Sequence, residues 1–249
     1  MDRRDHRKGR RTSGQEVLDL ADLARFRQAA YRIFSTMLFY PGAERLSTAA
    51  AIARELRDQG DFLATFSFFI QWRELLDTLR DLDDLRPLRL QEEYVEVFMV
   101  NPDYPPCLPY ESSYVESGTG VTGWTAVKLE REYRAAGLVL SDTLEEPPDH
   151  AAVELEFMSF LCNQEACAWD ARRLAESIEV LERQADFLKQ HLSRWFPVFA
   201  RGVAGKNSSE IYAVVTRAAQ TFIGHDRDLL EALIERFGSR AKTHPADPV

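Results

Sequence analysis

The sequence predicts an all-helical protein with a single globular domain of about eight to ten helices, and three observations carry that reading. Apolar residues recur near 3.6 spacing through most of the chain, clear period-two alternation is missing, and glycine or proline punctuates the periodic stretches at helix-like intervals. At 249 residues, with 45% hydrophobic and 29% charged residues, the chain is large enough for one sizeable core and is too apolar for a disordered protein.

Taken in order, Glu16 to Tyr40 reads as a helix through Leu20, Leu23, Phe26, Ala30, Ile33 and Leu38, and Pro41-Gly42 ends it. Ala43 to Arg57 continues as an alanine-rich helix closed by Gly60. Asp61 to Leu79 follows with an apolar stripe of Phe62, Phe66, Phe69, Leu76 and Leu79, interrupted by Arg73, while Trp72 lies beside it as a core residue. Leu88 to Val100 is helical and runs into the loop NPDYPPCLP, where four prolines remove four backbone donors and hold the chain extended. Gly118, Gly120 and Gly123 mark a second loop. Trp124 to Ala136 is a helix, stopped where Gly137 accepts a left-handed cap at least cost. Beyond Pro147 and Pro148 come helical patterns to about Cys167, from Ala171 to Leu192, near Trp195 to Val203, and from Ser209 to Phe237. The domain is expected over 15–239, with a basic tail at 1–14 and a second tail at 240–249.

Charge and cysteine narrow the function classes. The net charge is −9, and the window from Glu92 to Glu156 holds 14 acidic against three basic residues. Such a field repels nucleic acid and favours encounter with cationic partners. No apolar run approaches the roughly 20 residues of a membrane span, so stable membrane insertion is not expected. The opening MDRRDHRKGRR suggests an address segment, but Glu16, Asp19 and Asp22 interrupt any apolar region behind it, so a basic tail is the expectation. Cys107, Cys162 and Cys167 show no paired spacing, which indicates neither a disulfide framework nor a zinc knuckle and points to the reducing cytoplasm.

The stretch EEPPDHAAVELEFM, Glu145 to Met158, holds the strongest candidate residues. Asp149 and His150 are adjacent, so on a helix they point about 100° apart and do not orient one another as a catalytic base and its partner must. His150 and Glu154 stand four apart on one face, which suits two metal ligands, yet the paired motifs of known zinc and di-iron sites are missing. A helix start explains the stretch equally: Pro148 suits a first turn, and Asp149 complements exposed amides there. GTGVTG, Gly118 to Gly123, has dinucleotide-loop spacing but no strand before it, and reads as a flexible loop.

Two blocks together are more specific than either. EEYVEVFMVNPDYPPCLPYESSYVE, Glu92 to Glu116, followed about thirty residues on by EEPPDHAAVELEFM, resembles the paired motifs of the TorD/DmsD/NarJ family of molybdoenzyme assembly chaperones, also called redox enzyme maturation proteins. The resemblance rests on Tyr94, Phe98, Pro102, Pro106, Pro109-Tyr110-Glu111-Ser112 and Tyr114, then on Pro148-Asp149-His150, Glu154-Leu155 and Phe157-Met158. EREYRAAGL, Glu130 to Leu138, and FLKQHLSRWFPVF with His191-Leu192, Trp195 and Pro197 extend it over about Tyr31 to Phe237. Pro147 and Ser113 depart from the family's pattern.

The resemblance implies a TorD-like helical fold and a cytoplasmic protein without catalytic residues, cofactor or metal. Its implied partner is the apo catalytic subunit of a molybdoenzyme, bound through an N-terminal leader while the molybdenum cofactor is inserted and export waits. Asp149, His150, Glu154, Tyr110, Glu111 and Ser112 are the implied peptide-binding residues. Two readings of each stand side by side: Asp149 pairs with a client arginine or caps its helix, His150 bonds the peptide or ties its loop to the core, and Glu111 meets the client or bonds a buried amide. Tyr110 and Tyr114 are expected to pack the proline loop. A helical metal-dependent hydrolase using His150 and Glu154, or a permanently bound adaptor subunit, are the alternatives. The client, its leader type and the choice between monomer and helix-swapped dimer are not evident from these residues.

Overall fold

The structure is a computed structural model, and it describes residues 19–57, 64–80, 87–100, 105–116, 123–141, 146–206 and 210–243. The tail at 1–14, Pro102 of the proline loop and residues 118–122 of the glycine loop lie outside the described residues.

Ten α-helices follow one another among the described residues: α1 (Leu20–Leu38), α2 (Ala43–Arg57), α3 (Phe69–Arg80), α4 (Pro87–Tyr94), α5 (Ser112–Val115), α6 (Trp124–Ala135), α7 (Ala151–Asp170), α8 (Leu174–Gln190), α9 (Leu192–Ala204) and α10 (Glu210–Thr243). Asp19 starts α1 by accepting the Asp22 amide on its carboxylate, a side-chain cap on an otherwise orphan donor. At the end of α6, Gly137 takes φ +87°, and its amide and that of Leu138 bond back to the carbonyls of Arg134 and Tyr133. That pair of bonds is the Schellman stop expected from glycine at this position.

α7 lies at the centre. It buries residues on every face, from Ala151 and Leu155 to Met158, Cys162 and Trp169, and α1 packs along it more extensively than any other pair of helices. α8, α9 and α10 close the far side, α2 packs on α1, and α3 bridges α2 and α10. The largest departures from the expected boundaries are three, while α8 (Leu174–Gln190 rather than Ala171 to Leu192) and α9 (from Leu192 rather than near Trp195) shift by two or three residues and the short α5 is additional. α3 begins at Phe69 rather than Asp61, because the Phe69 amide turns back to Phe66, and the buried stripe is Phe68, Trp72, Leu75, Leu76 and Leu79. Arg73 therefore does not interrupt the core; it is exposed and stacks over Phe69. The helix from Leu88 changes at Val95–Met99 to a π-helical turn, which the Val100 amide closes on Val95. α10 runs past Phe237 to Thr243, so residues 240–243, expected as tail, are helical.

One buried polar network was not expected. Arg27 of α1, 1% exposed, reaches Asp226 of α10, Glu165 of α7 and Gln184 of α8. Tyr31 adds a 2.7 Å bond to Asp226, and Gln184 and Trp169 donate to Glu165 at 2.9 and 3.1 Å. Four helices are thus pinned by one guanidinium whose fork matches several acceptors at once.

Candidate functional site

The two motif blocks, far apart in sequence, form a seam. The Glu111 amide donates to the Asp149 carbonyl at 2.9 Å and the Ala151 amide to the Pro109 carbonyl at 2.7 Å, which makes an antiparallel bridge of Tyr110 with His150. Proline rigidity on both sides restricts the two strands of this seam to extended courses. The Tyr133 hydroxyl donates to the Pro148 carbonyl at 2.8 Å, so α6 holds the seam from a third side.

All six residues singled out by sequence meet here. Tyr110 and Ser112 are half-buried, whereas Glu111, Asp149, His150 and Glu154 are buried at 3% exposure or less. The reading of Asp149 as cap of its own helix is corrected: His150 is the N-cap of α7, its Nδ1 accepting the Ala152 amide at 3.1 Å, and Pro148 lies outside the first turn. Asp149 instead accepts the Ser112 amide at 3.2 Å, at the start of α5 across the seam. Glu111 bonds not to a backbone amide but to His191, at 2.7 Å.

The protonation of each group follows from its surroundings. Burial lowers the His150 pKa to about 3, so its imidazole is neutral. Because Nδ1 accepts, the proton resides on Nε2, a buried donor with no hydrogen-bond partner that faces Glu146 Oε2 at 3.7 Å. Phe39 stacks on the His150 ring at 5.8 Å, Tyr110 meets it edge-on at 5.2 Å, and the Arg45 guanidinium lies over the Phe39 ring at 4.7 Å. Glu154 forms the floor. Burial, reinforced by repulsion from Glu111 and opposed by the Trp195 bond, pushes its carboxyl well above the usual range, which favours the protonated form. One oxygen accepts Trp195 Nε1 at 3.3 Å and the other has no partner. His150 and Glu154 thus turn to different partners, and no group of three His, Cys, Asp or Glu among the described residues is placed to hold a metal ion.

A groove of about 660 Å³ opens beside the seam, between α1, α2, α7 and the segment after α6. Phe39, Tyr133 and Phe157 give it an apolar lining, while Arg45, Glu44 and Glu156 also line it. Phe39 is shared, with one contact on His150 and one side on the groove. Phe39 and Arg45 were missed by sequence reasoning because neither lies in a matched motif. Glu132 and Tyr133 had a signal, since they stand inside the EREYRAAGL block, although no role attached to them.

Comparison with known proteins defines the class. A family model described as the nitrate reductase delta subunit matches residues 69–201. The chaperone protein TorD of Vibrio cholerae serotype O1 is 31% identical over 165 residues, which are 65% of this chain and 71% of that protein. The selenate reductase assembly chaperone protein of Thauera selenatis is 39% identical over 82 residues, 33% of this chain and 42% of its own. The crystal structure of a candidate redox enzyme maturation protein from Archaeoglobus fulgidus superposes with a TM-score of 0.51 at 26% identity, covering 82% of this chain and 93% of that one. Fold and relatives together describe an all-helical assembly chaperone rather than an enzyme. The chain belongs to the TorD/DmsD/NarJ family of molybdoenzyme assembly chaperones. No helix among the described residues is long and apolar enough to cross a membrane.

Proposed function

We propose that this protein is a dedicated cytoplasmic chaperone for the apo catalytic subunit of a molybdoenzyme, that it binds the subunit's N-terminal leader, and that it holds the subunit for cofactor insertion before export. The observation that carries the leader reading is the shared wall at Phe39: an apolar groove adjoins the seam built by Tyr110, Glu111, Ser112, Asp149 and His150. In this reading the apolar run of the leader lies in the groove, and Tyr110, Ser112 and Glu146 at the seam meet its polar flank. Asp149, His150 and Glu154 act from beneath, through the backbone they hold, because buried groups fixed by neighbours set the geometry of an exposed edge.

Isothermal titration with the leader of a molybdoenzyme catalytic subunit encoded beside this chain tests the reading. Val139 lines the groove and is 80% exposed, so Val139→Glu leaves the core intact and places a charge where the leader's apolar run would lie. Affinity is expected to fall about tenfold or more, the cost of losing one good apolar anchor. A second variant, Asp149→Ala with His150→Ala, is expected to weaken binding through the seam. Unchanged affinity in both variants refutes the assignment.

A further inference from the structure

We infer that His191, at the corner between α8 and α9, is held as an imidazolium between Glu111 and Glu132 and is the positioning residue that latches the Tyr110–Val115 turn in place. The bearing of this latch on client affinity rests on the leader reading above; the latch itself does not.

Geometry carries the argument. Nδ1 lies 2.7 Å from Glu111 Oε2, and Nε2 lies 3.2 Å from one Glu132 oxygen and 3.3 Å from the other. Both ring nitrogens therefore face carboxylates. A neutral imidazole carries one N–H, so it would set a lone pair against an anion on one side, whereas the cation donates to both. Lys128 is the one group that favours a bare Nε2, and at 3.4 Å it is more distant than either Glu132 oxygen. His191 is 1% exposed, so water does not replace a lost bond without opening the corner.

The charged and titratable neighbours on every packed element agree. Glu111 comes from the seam, and Glu132 and Lys128 from α6, where they pair at 3.5 Å. From α7, Glu154 is the further acid near Glu111, and burial together with Glu111 raises its own pKa. On its own helix, the Phe187 ring lies 4.9 Å from the imidazole, and Lys128 donates to Gln190 at 3.1 Å. Arg194 of α9 is exposed and turns to the Gln190 carbonyl. Burial lowers the His191 pKa, but the two carboxylates outweigh it and raise it above the ordinary value.

Among the described residues Glu111 is the acceptor for Nδ1, and the backbone of the same residue receives the Tyr114 and Val115 amides and donates to Asp149. Loss of the cation thus loosens the turn from its centre. A group with a raised folded pKa contributes fully below its unfolded value, about 6.5, and the contribution is lost as pH rises through the folded pKa. The latch is closed below about pH 6.5 and opens as the pH rises through the raised folded value.

Two measurements on the free protein test this without any leader. At about pH 6.5, where an ordinary imidazole is half protonated, nitrogen-15 shifts of the His191 ring should show the doubly protonated form in the majority; a minority overturns the inference. Hydrogen exchange of the Glu111, Tyr114 and Val115 amides, corrected for the intrinsic pH dependence, should accelerate about tenfold as His191 titrates. In Glu132→Gln, whose site is partly exposed and tolerant, that midpoint should move to lower pH. An unshifted midpoint, or exchange that ignores the titration, overturns the latch. With a leader in hand, wild-type affinity should fall across the same pH range and His191→Gln should abolish that slope; a retained slope overturns the role of His191, whereas no binding by any form counts against the leader reading alone.

Discussion

Replacing Arg27 by methionine tests whether the polar knot at the core stabilises the fold through charge. In the wild type one guanidinium, 1% exposed, serves Asp226, Glu165 and Gln184. Methionine fills much of the volume, so packing is nearly conserved, but two carboxylates remain buried without a cation. Asp226 keeps only the Tyr31 hydroxyl among its side-chain donors here, and Glu165 keeps Gln184 and Trp169. Breaking a buried pair by removing one partner costs about 3–5 kcal/mol. For a chain of this size each kcal/mol moves the midpoint by roughly 2–4 °C, so thermal unfolding should fall by about 6–20 °C. Scanning calorimetry measures it, beside the triple variant Arg27→Met, Glu165→Gln, Asp226→Asn, which removes the stranded charges and should recover most of the loss. A single variant that melts with the wild type refutes the reasoning. A triple variant no better than the single would show that shape, not charge, holds the four helices.

The remaining predictions concern the site floor and the backbone. Glu154→Gln keeps the acceptor for Trp195 and removes a group whose folded pKa is raised, so wild-type stability should decline relative to the variant as pH climbs above about 4.3; thermal midpoints at pH 5 and pH 8 that differ equally between the two forms would refute the raised folded pKa. Gly137→Ala should cost about 1–2 kcal/mol by urea unfolding, because a Cβ there meets nothing within 4 Å and the whole penalty is the φ of +87°. Gly224→Ala, also open but within α10 and without positive φ, should stabilise by about 0.5–1 kcal/mol, and equal signs at the two positions would contradict the backbone argument.

Glycine and proline account for most of what the sequence made legible about the fold. Pro41-Gly42, Gly137 and Pro147-Pro148 act locally, so the ends of α1 and α6 and the approach to α7 could be read from neighbours alone. α3 was misphased because two apolar stripes compete there, Phe66 with Phe69 and Phe68 with Trp72, and periodicity does not say which one meets α1 and α10. The π-helical turn at Val95–Met99 left no mark, since inserting one residue per turn changes direction without changing composition. Charged residues default to the surface, which hid both Arg27 and the burial of Asp149 and Glu154. The grouping of the six site residues came from paired motifs, whereas His191 binds Glu111 across 80 positions, a distance at which spacing carries no geometry.

Burial changes what a Pro-Asp-His sequence is able to do in a binding protein. An Asp149 at 3% exposure whose oxygen holds the Ser112 amide meets a client guanidinium only after surrendering that half-buried amide, and the cost approaches the roughly 1–3 kcal/mol of an unpaired buried donor only as far as water is kept out. Direct pairing must exceed that cost, while the half-buried Tyr110 and Glu146, already joined at 3.3 Å across the outside of the seam, have less to surrender. His150 supplies the converse case. Its Nε2 proton has no hydrogen-bond partner, so an incoming acceptor there would replace nothing and gain a bond, once Glu146 or Phe39 moves to admit it. The acid of the pair therefore anchors the seam, and the imidazole holds its unspent donor capacity.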